Sequence, residues 1–352
     1  MTLIFRPNVL LRQVRAAWGL VLPAALLLFS LWPWLPINGR GARHAAAVVF
    51  YGFSILGEVM NQGVFPAFRQ AWQDRTGERI ELVGSFAGSG TVTNQLIMGV
   101  PAQLALLSLE LDAARLADAQ LTPRQSWVEL PHCGVVNRTP FVILVRPGNP
   151  KQIRDFADLA RHGIGVVHPD PLTSGGANWA ILAEYGAGAR AHPDDPEAGH
   201  DLLLGIWRNV VGQAASARAA RTQFENGFGD ALVTYEQEVL WDRARGKLNG
   251  EIVYPHSTIL SEHTLVRIDR NIAAGDRELI DALVLFLWQD QAQRVFVQYG
   301  FRSVDERLNT PNPGFGRIAD AFSVADLGGW PRAKREIIDA VWKDRVLQEI
   351  GK

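Results

Sequence analysis

Apolar residues in this chain recur in two alternating periods. Short unbroken runs, Ala46–Tyr51, Arg79–Val83, Ala102–Leu109, Phe141–Val145, Ile164–Val167 and Ala231–Thr234, read as strands buried on both faces. Between them the spacing becomes helical: Val64–Thr76 through Phe65, Phe68 and Trp72, then Thr91–Met98, Leu111–Leu116, Ile153–Arg161, a helix from Ala177 through Trp179, Leu182 and Ala183, and Asp201–Asn209. From Arg277 the remainder reads as helical, with Leu279, Leu283, Phe286 and Leu287 on one face. Alternation of this kind predicts an α/β fold with mostly parallel sheets.

Two extended stretches break the alternation, Arg138 to Val145 and Ile252 to Ile268, the second with Pro255 inside it. Both separate blocks of strand-helix units. A chain that leaves one lobe, builds a second and returns gives two lobes around a ligand cleft, here 46–138 with 256–352, and 139–255. A length of 352 residues with 47% hydrophobic and 20% charged side chains suits two sizeable cores.

The first 57 residues hold no Asp or Glu. Arg6, Arg12 and Arg15 precede the apolar run Ala16–Leu35, in which Ser30 is the clearly polar residue. Segment 1–45 therefore reads as a signal peptide or as an N-terminal hydrophobic helix that anchors the chain in the inner membrane. Ala45-Ala46-Ala47 offers a cleavage site that would leave a chain starting at Val48. Either outcome places the rest outside the cytoplasm, in the periplasm or on the outer face of the inner membrane. A net charge of −1, with no basic block beyond residue 50, argues against nucleic acid as a partner. The single cysteine, Cys133, has no zinc or CxxC spacing around it.

Ser174-Gly175-Gly176 lies between a predicted strand and a predicted helix. Amides at a helix start have no intrahelical acceptor and sit at the positive end of the macrodipole, so two glycines there leave a seat for an oxyanion. The plainer reading is an N-cap followed by a tight turn. Gly84–Gly90 is a second strand-loop-helix unit. It lacks the Gly-Lys-Ser/Thr ending of a nucleotide loop, and no Gly-x-Ser-x-Gly elbow is present. His168 has no carboxylate with an evident orienting role in the sequence around it, so a general base is not expected. His192–Asp201, rich in Pro, Asp and Glu, reads as a solvated loop rather than a metal site. No cofactor, metal or catalytic group is expected.

Five motifs carry a resemblance: Ala87-Gly88-Ser89-Gly90, Phe141–Ile153, Pro171–Trp179, Gly227–Glu236 and Gly328-Gly329-Trp330. In this order, over roughly residues 46 to 350, the chain resembles the periplasmic sulfate-binding proteins, receptors of sulfate and thiosulfate ABC importers. The resemblance implies a two-lobe periplasmic-binding-protein-like fold. It also implies a bare tetrahedral dianion held in the cleft by hydroxyls and amides, then delivered to importer permease subunits. Ser174 would give its hydroxyl, Gly175 and Gly176 their amides, Ser89 a contact from the opposite lobe and Ala217 a further amide. Gly52 stands where relatives carry an Asp whose amide touches the ligand. Tyr235 stands where they carry a tryptophan donor, and it reads equally as a core aromatic. Ala102-Gln103 replaces an Ala-Asp pair. Arg218 and Arg221 read either as cleft residues orienting donors or as exposed charge. A donor-only site suits sulfate, because a protonated phosphate would leave its proton unpaired. A membrane-tethered oxyanion sensor or interaction domain of the same fold is the alternative reading.

Overall fold

Leu104–Leu107, strand β3, buries all four of its side chains. Leu104 and Leu106 join the main core while Ala105 and Leu107 join a second cluster with Val92, Leu96 and Val266. The period-two alternation of a strand thus feeds two helical layers, which is why this segment reads as a continuous apolar run. The computed structural model describes residues 46–310 and 312–351. The signal and anchor readings of segment 1–45 lie outside the described residues. Among the described residues no helix is long and apolar enough to cross a membrane.

The other strands are β1 (Ala46–Phe53), β2 (Ile80–Ala87), β4 (Val135–Val145), β5 (Val166–Pro169), β6 (Val210–Ala214), β7 (Ala231–Tyr235), β8 (Glu251–Val253), β9 (Ser257–Arg267), β10 (Arg302–Ser303) and β11 (Asp320–Phe322). They hydrogen-bond in the order β2-β1-β3-β9-β4-β7-β5-β6, with β8 and β10 added on β4 and β11 on β9. Pairs β1/β2, β1/β3, β5/β6, β5/β7 and β9/β11 are parallel. The five pairs made by β4 with β7, β8, β9 and β10, and by β3 with β9, are antiparallel. The expectation of mostly parallel sheets is therefore corrected. The two long extended segments run against the strand-helix units on either side of them.

Those segments change partners along their length. Residues Val135 to Pro140 of β4 pair with β9, whereas Phe141 to Val145 pair with β7. On β9, Leu260 to Thr264 pair with β4 and Thr264 to Arg267 with β3. Strand pairing thus falls into one group around β1–β3 and another around β5–β7, joined through β4 and β9. In the second group Phe141, Ile143 and Val145 face the main core, while Val142 and Leu144 face a third cluster with Val167, Phe224 and Leu232.

Boundaries moved where backbone pairing overrode side-chain pattern. The stretch read as a Gly84–Gly90 loop is strand as far as Ala87, because each residue from Gly84 to Ala87 pairs with β1, and a helix then starts at Ser89. The helix expected from Ala177 starts at Gly175. The one expected over Ile153–Arg161 shrinks to Phe156–Leu159, fixed by a capping box between Asp155 and Asp158. The remainder after Arg277 contains helices Arg277–Phe286 and Asp290–Gln298, but also β10 and β11.

Candidate anion-binding site

Three helices begin close together at the carboxyl ends of parallel strands: Ser89–Ile97 after β2, Gly175–Ala191 after β5 and Ala217–Glu225 after β6. In open α/β sheets, strand ends of this kind are where ligands sit. The approach is close enough to require glycine at Gly88. A Cβ there would lie 2.4 Å from the Thr173 carbonyl oxygen and 2.6 Å from that of Ala215. The Gly90 amide donates to the Thr173 carbonyl at 3.1 Å, fastening the Ser89 helix to the loop that leads into Ser174.

Ser108, at the end of β3, links these pieces. Its amide donates to Ser89 Oγ at 3.1 Å, its carbonyl accepts from Trp179 Nε1 at 2.7 Å, and its hydroxyl lies 2.8 Å from the Tyr235 hydroxyl. A Cβ on Gly175 would fall 2.7 Å from Ser108 Oγ, and one on Gly176 would fall 3.0 Å from the Tyr235 hydroxyl. Two hydroxyls therefore pack against the two glycines. The structure brings Ser89, Ser174, Gly175, Gly176 and Tyr235 into one cluster, with Ala217 beside it through Ala215.

Ser89 Oγ donates to Asp112 Oδ2 at 2.7 Å, and Arg115 Nη1 donates to Asp112 Oδ1 at 3.1 Å. Asp112 is buried; desolvation raises its pKa above the ordinary carboxylate value, against the opposing pull of Ser89 and Arg115. In this conformation the Ser89 hydroxyl proton is engaged by Asp112, so what Ser89 can offer an anion is its amide at the helix start. Ser174 is 4% exposed and makes no side-chain capping bond, so its hydroxyl is not spent on its own helix. Ser216, by contrast, caps the Ala217 helix by accepting from the Ala219 amide at 3.1 Å, leaving Ala217 as the first helical residue.

Tyr235 is 1% exposed and packs on Phe141, with ring centroids 4.6 Å apart. Burial raises the pKa of its phenol, so it stays protonated as a donor or acceptor. Tyr235 is thus a core aromatic whose hydroxyl reaches the glycine pair. Gly52 lies on β1 opposite Leu106, with Leu56 and Phe86 3.0 Å from the place of a Cβ, so any contact it gives is a main-chain one. Gln103 sits at the far end of β3, where its Oε1 accepts from the Val49 amide at 2.7 Å.

Arg218 and Arg221 are committed to carboxylates. Arg218 makes bonds of 2.6 and 2.8 Å to the two oxygens of Glu58 and 2.8 Å to Glu238, while Arg221 lies 2.8 Å from Asp242 and 3.3 Å from Glu238. Burial opposes the charge on Arg218, but Glu238 and Glu58 outweigh it and raise its pKa. Burial likewise opposes ionisation of Glu58, yet Arg218 brings its pKa below the ordinary value. The reading of these arginines as exposed charge is corrected, and neither is left free to neutralise a ligand.

Two further expectations change. His168 does have a carboxylate partner: its Nε2 lies 3.3 Å from Glu184 Oε1, both groups fully buried, while its Nδ1 is 2.8 Å from the Pro169 carbonyl. Glu184 also accepts from Trp207 Nε1 at 3.2 Å, so it serves the packing behind the Gly175 helix. Nor is the His192–Asp201 stretch wholly a solvated loop. His200 is 5% exposed, its Nδ1 3.0 Å from Asp201 and its Nε2 3.1 Å from Glu349 near the end of the chain.

Sequence reasoning did not single out Ser108, Asp112, Trp179 or Glu184 as members of this arrangement. Ser108 carried a signal, a lone hydroxyl ending an apolar run just before a helix. So did Glu184, a lone carboxylate within an apolar helix. Asp112 carried none, because an acid in a helix's first turn is ordinary.

Converging helix starts at the carboxyl ends of strands, on a fold crossed twice by long strands, define a binding protein. A description of bacterial extracellular solute-binding proteins matches residues 60–302. The sulfate-binding protein of Escherichia coli is 30% identical over 77% of this chain and 83% of its own, and the thiosulfate-binding protein of the same organism is 31% identical over 77% and 82%. The structure of the sulfate-binding protein SubI from Mycobacterium tuberculosis superposes with a TM-score of 0.76 at 30% identity, covering 84% of this chain and all of that one. The chain belongs to the sulfate-binding protein family of extracellular solute-binding proteins.

Proposed function

We propose that this protein captures sulfate, or a related tetrahedral oxyanion such as thiosulfate, and delivers it to the permease subunits of an ABC importer. The ligand sits between a lobe of residues 46–138 with 256–352 and a lobe of residues 139–255, with β4 and β9 as the connections. Ser174 contributes its hydroxyl, Gly175, Gly176, Ala217 and Ser89 their amides, and Tyr235 its phenol, with Gly52 adding a main-chain contact. Segment 1–45 exports the chain or holds it at the outer face of the inner membrane.

The observation that carries this reading is the meeting of the Ser89, Gly175 and Ala217 helix starts while Arg218 and Arg221 are bound to Glu58, Glu238 and Asp242. A site of neutral donors stabilises a desolvated dianion through dipoles and hydrogen bonds. It also disfavours protonated phosphate, whose proton needs an acceptor that helix-start amides do not supply.

Isothermal titration of the purified protein with sulfate, thiosulfate, molybdate and phosphate tests it. Saturable heat with sulfate or thiosulfate, and at least a hundredfold weaker response to phosphate, is the expected result. No heat with any oxyanion would remove the transport reading.

A further inference from the structure

Beside the seat at Ser174 lies a cavity of about 330 Å³. One wall is the first turn of the helix Glu110–Asp118, with Leu109 and Leu111, and a second is the segment Pro171–Gly175. The third is the helical segment Ala333–Val346, with Ile338 and Trp342. Its size falls at the small end of ligand pockets, about 300–1,000 Å³. On another side of the seat, the hydroxyls of Ser108 and Tyr235 press against Gly175 and Gly176.

The charges on this wall do not cancel. Arg115 is bound to Asp112 and Asn94, and Lys334 to Asp339. Lys343, exposed at the rim, has no ion pair among the described residues. Two neutralised pairs and one open ammonium leave a single positive charge in a cavity of mixed apolar and polar lining, shared with a buried serine that does not cap its helix. Trp342, 6% exposed, also lines the space, and its Nε1 has no hydrogen-bond partner among the described residues. Bare sulfate has no apolar part to lie against Leu109, Leu111 and Ile338.

We propose that the site also takes a short sulfonate whose tail ends in a carboxylate, the sulfonyl head on Ser174 and Gly175 and the tail in this cavity with its carboxylate toward Lys343. The inference rests on the oxyanion-binding reading above and extends it to a second ligand class. Such a ligand keeps the two negative charges of sulfate but separates them. The sulfonate oxygens are acceptors only, as the helix-start amides require, and two methylenes lie against the apolar wall. Each buried methylene favours binding by roughly fourfold, and the terminal carboxylate gains a cation where an uncharged end gains none.

The test is competition titration on the full-length protein with three probes: sulfate, ethanesulfonate and 3-sulfopropanoate. The expected result is that 3-sulfopropanoate displaces sulfate and binds at least fivefold more tightly than ethanesulfonate. Lys343→Glu should erase that difference while leaving the sulfate dissociation constant within twofold. Leu111→Trp, which fills the cavity from a half-buried position, should weaken both sulfonates at least tenfold and spare sulfate. Tight sulfate binding with no displacement by 3-sulfopropanoate would overturn the inference and leave the oxyanion reading standing. A preference for 3-sulfopropanoate that survives Lys343→Glu would also overturn it, by removing Lys343 as the partner of the tail. Absence of binding by all three probes would overturn both readings.

Discussion

The hydroxyls of Tyr235 and Ser108 lie 2.8 Å apart, and each packs against one of the two glycines that open the Gly175 helix. The two residues are 127 positions apart and come from β7 and the end of β3. Their contact therefore closes one strand-pairing group onto the other. Tyr235→Phe keeps the ring against Phe141 but strands the Ser108 hydroxyl. It should lower stability by about 1–2 kcal/mol, the cost of an unsatisfied buried group, and weaken sulfate binding, as read by thermal melts and titration. Tyr235→Trp, which restores the residue type of the relatives, should fare worse. The space beside Gly176 is already filled to 3.0 Å, and overpacking costs about 1–3 kcal/mol.

Ser174→Ala separates binding from folding. The side chain makes no capping bond, so the ligand-free melting temperature should hold within about 2 °C, equivalent to roughly 0.5 kcal/mol. Loss of one hydrogen bond to a charged ligand should cost about 1.5–3 kcal/mol, roughly ten- to hundredfold in affinity by titration. Gly175 is less suited to this purpose. Any side chain there collides with Ser108 2.7 Å away, so lost affinity would be mixed with lost packing.

Glu58 and Arg218 join the group around β1 to the group around β7, with Glu238 as a second partner. Arg218→Ala leaves the fully buried Glu238 dependent on Arg221 alone, and should destabilise by about 2–4 kcal/mol as an uncompensated buried charge. Glu58→Gln, at a partly exposed position, should cost about 1 kcal/mol or less. The same pair sets an acid sensitivity. The folded pKa of Glu58 is lowered, so its stabilising contribution is present above the ordinary carboxylate value and is lost as pH falls through the folded value. Urea midpoints of the wild type and of Glu58→Gln, compared at pH 7 and at pH 3.5, should converge at the lower pH.

His263 is buried among Phe53, Tyr235 and Phe301, with Nδ1 2.6 Å from Asn137 Oδ1, and desolvation pushes its pKa down to about 3. Because the folded value lies below the unfolded one of about 6.5, the unfolded chain binds the extra proton between pH 3 and 6.5. Stability should therefore rise with pH across that window and level off above it, at up to about 1.4 kcal/mol per pH unit. Asp112 acts with the opposite sign, since its raised pKa favours the native state at low pH. The difference between wild-type and His263→Gln melting curves from pH 4 to 7 isolates the histidine. A pH-independent difference would show that His263 is not the group responsible.

The sequence alone determined the alternation of strands and helices, the two extended crossings, the family and the Ser174-Gly175-Gly176 turn between a strand and a helix. All of these are local: apolar period, glycine next to serine, and motifs read in order along the chain. Tertiary structure decided what lies against them. Ser108 meets Tyr235 only because β3 and β7 end at the same place on opposite sides of β9 and β4. Asp112 claims the Ser89 proton across 23 residues, and Glu58 claims Arg218 across 160. His168 finds Glu184 because a strand end and the middle of the following helix pack face to face. Hydrophobic periodicity reports which side of an element is buried, and it is silent on which polar groups end up sharing that buried space. Once water is excluded each of those groups must find a partner, and the partner is set by how distant elements pack.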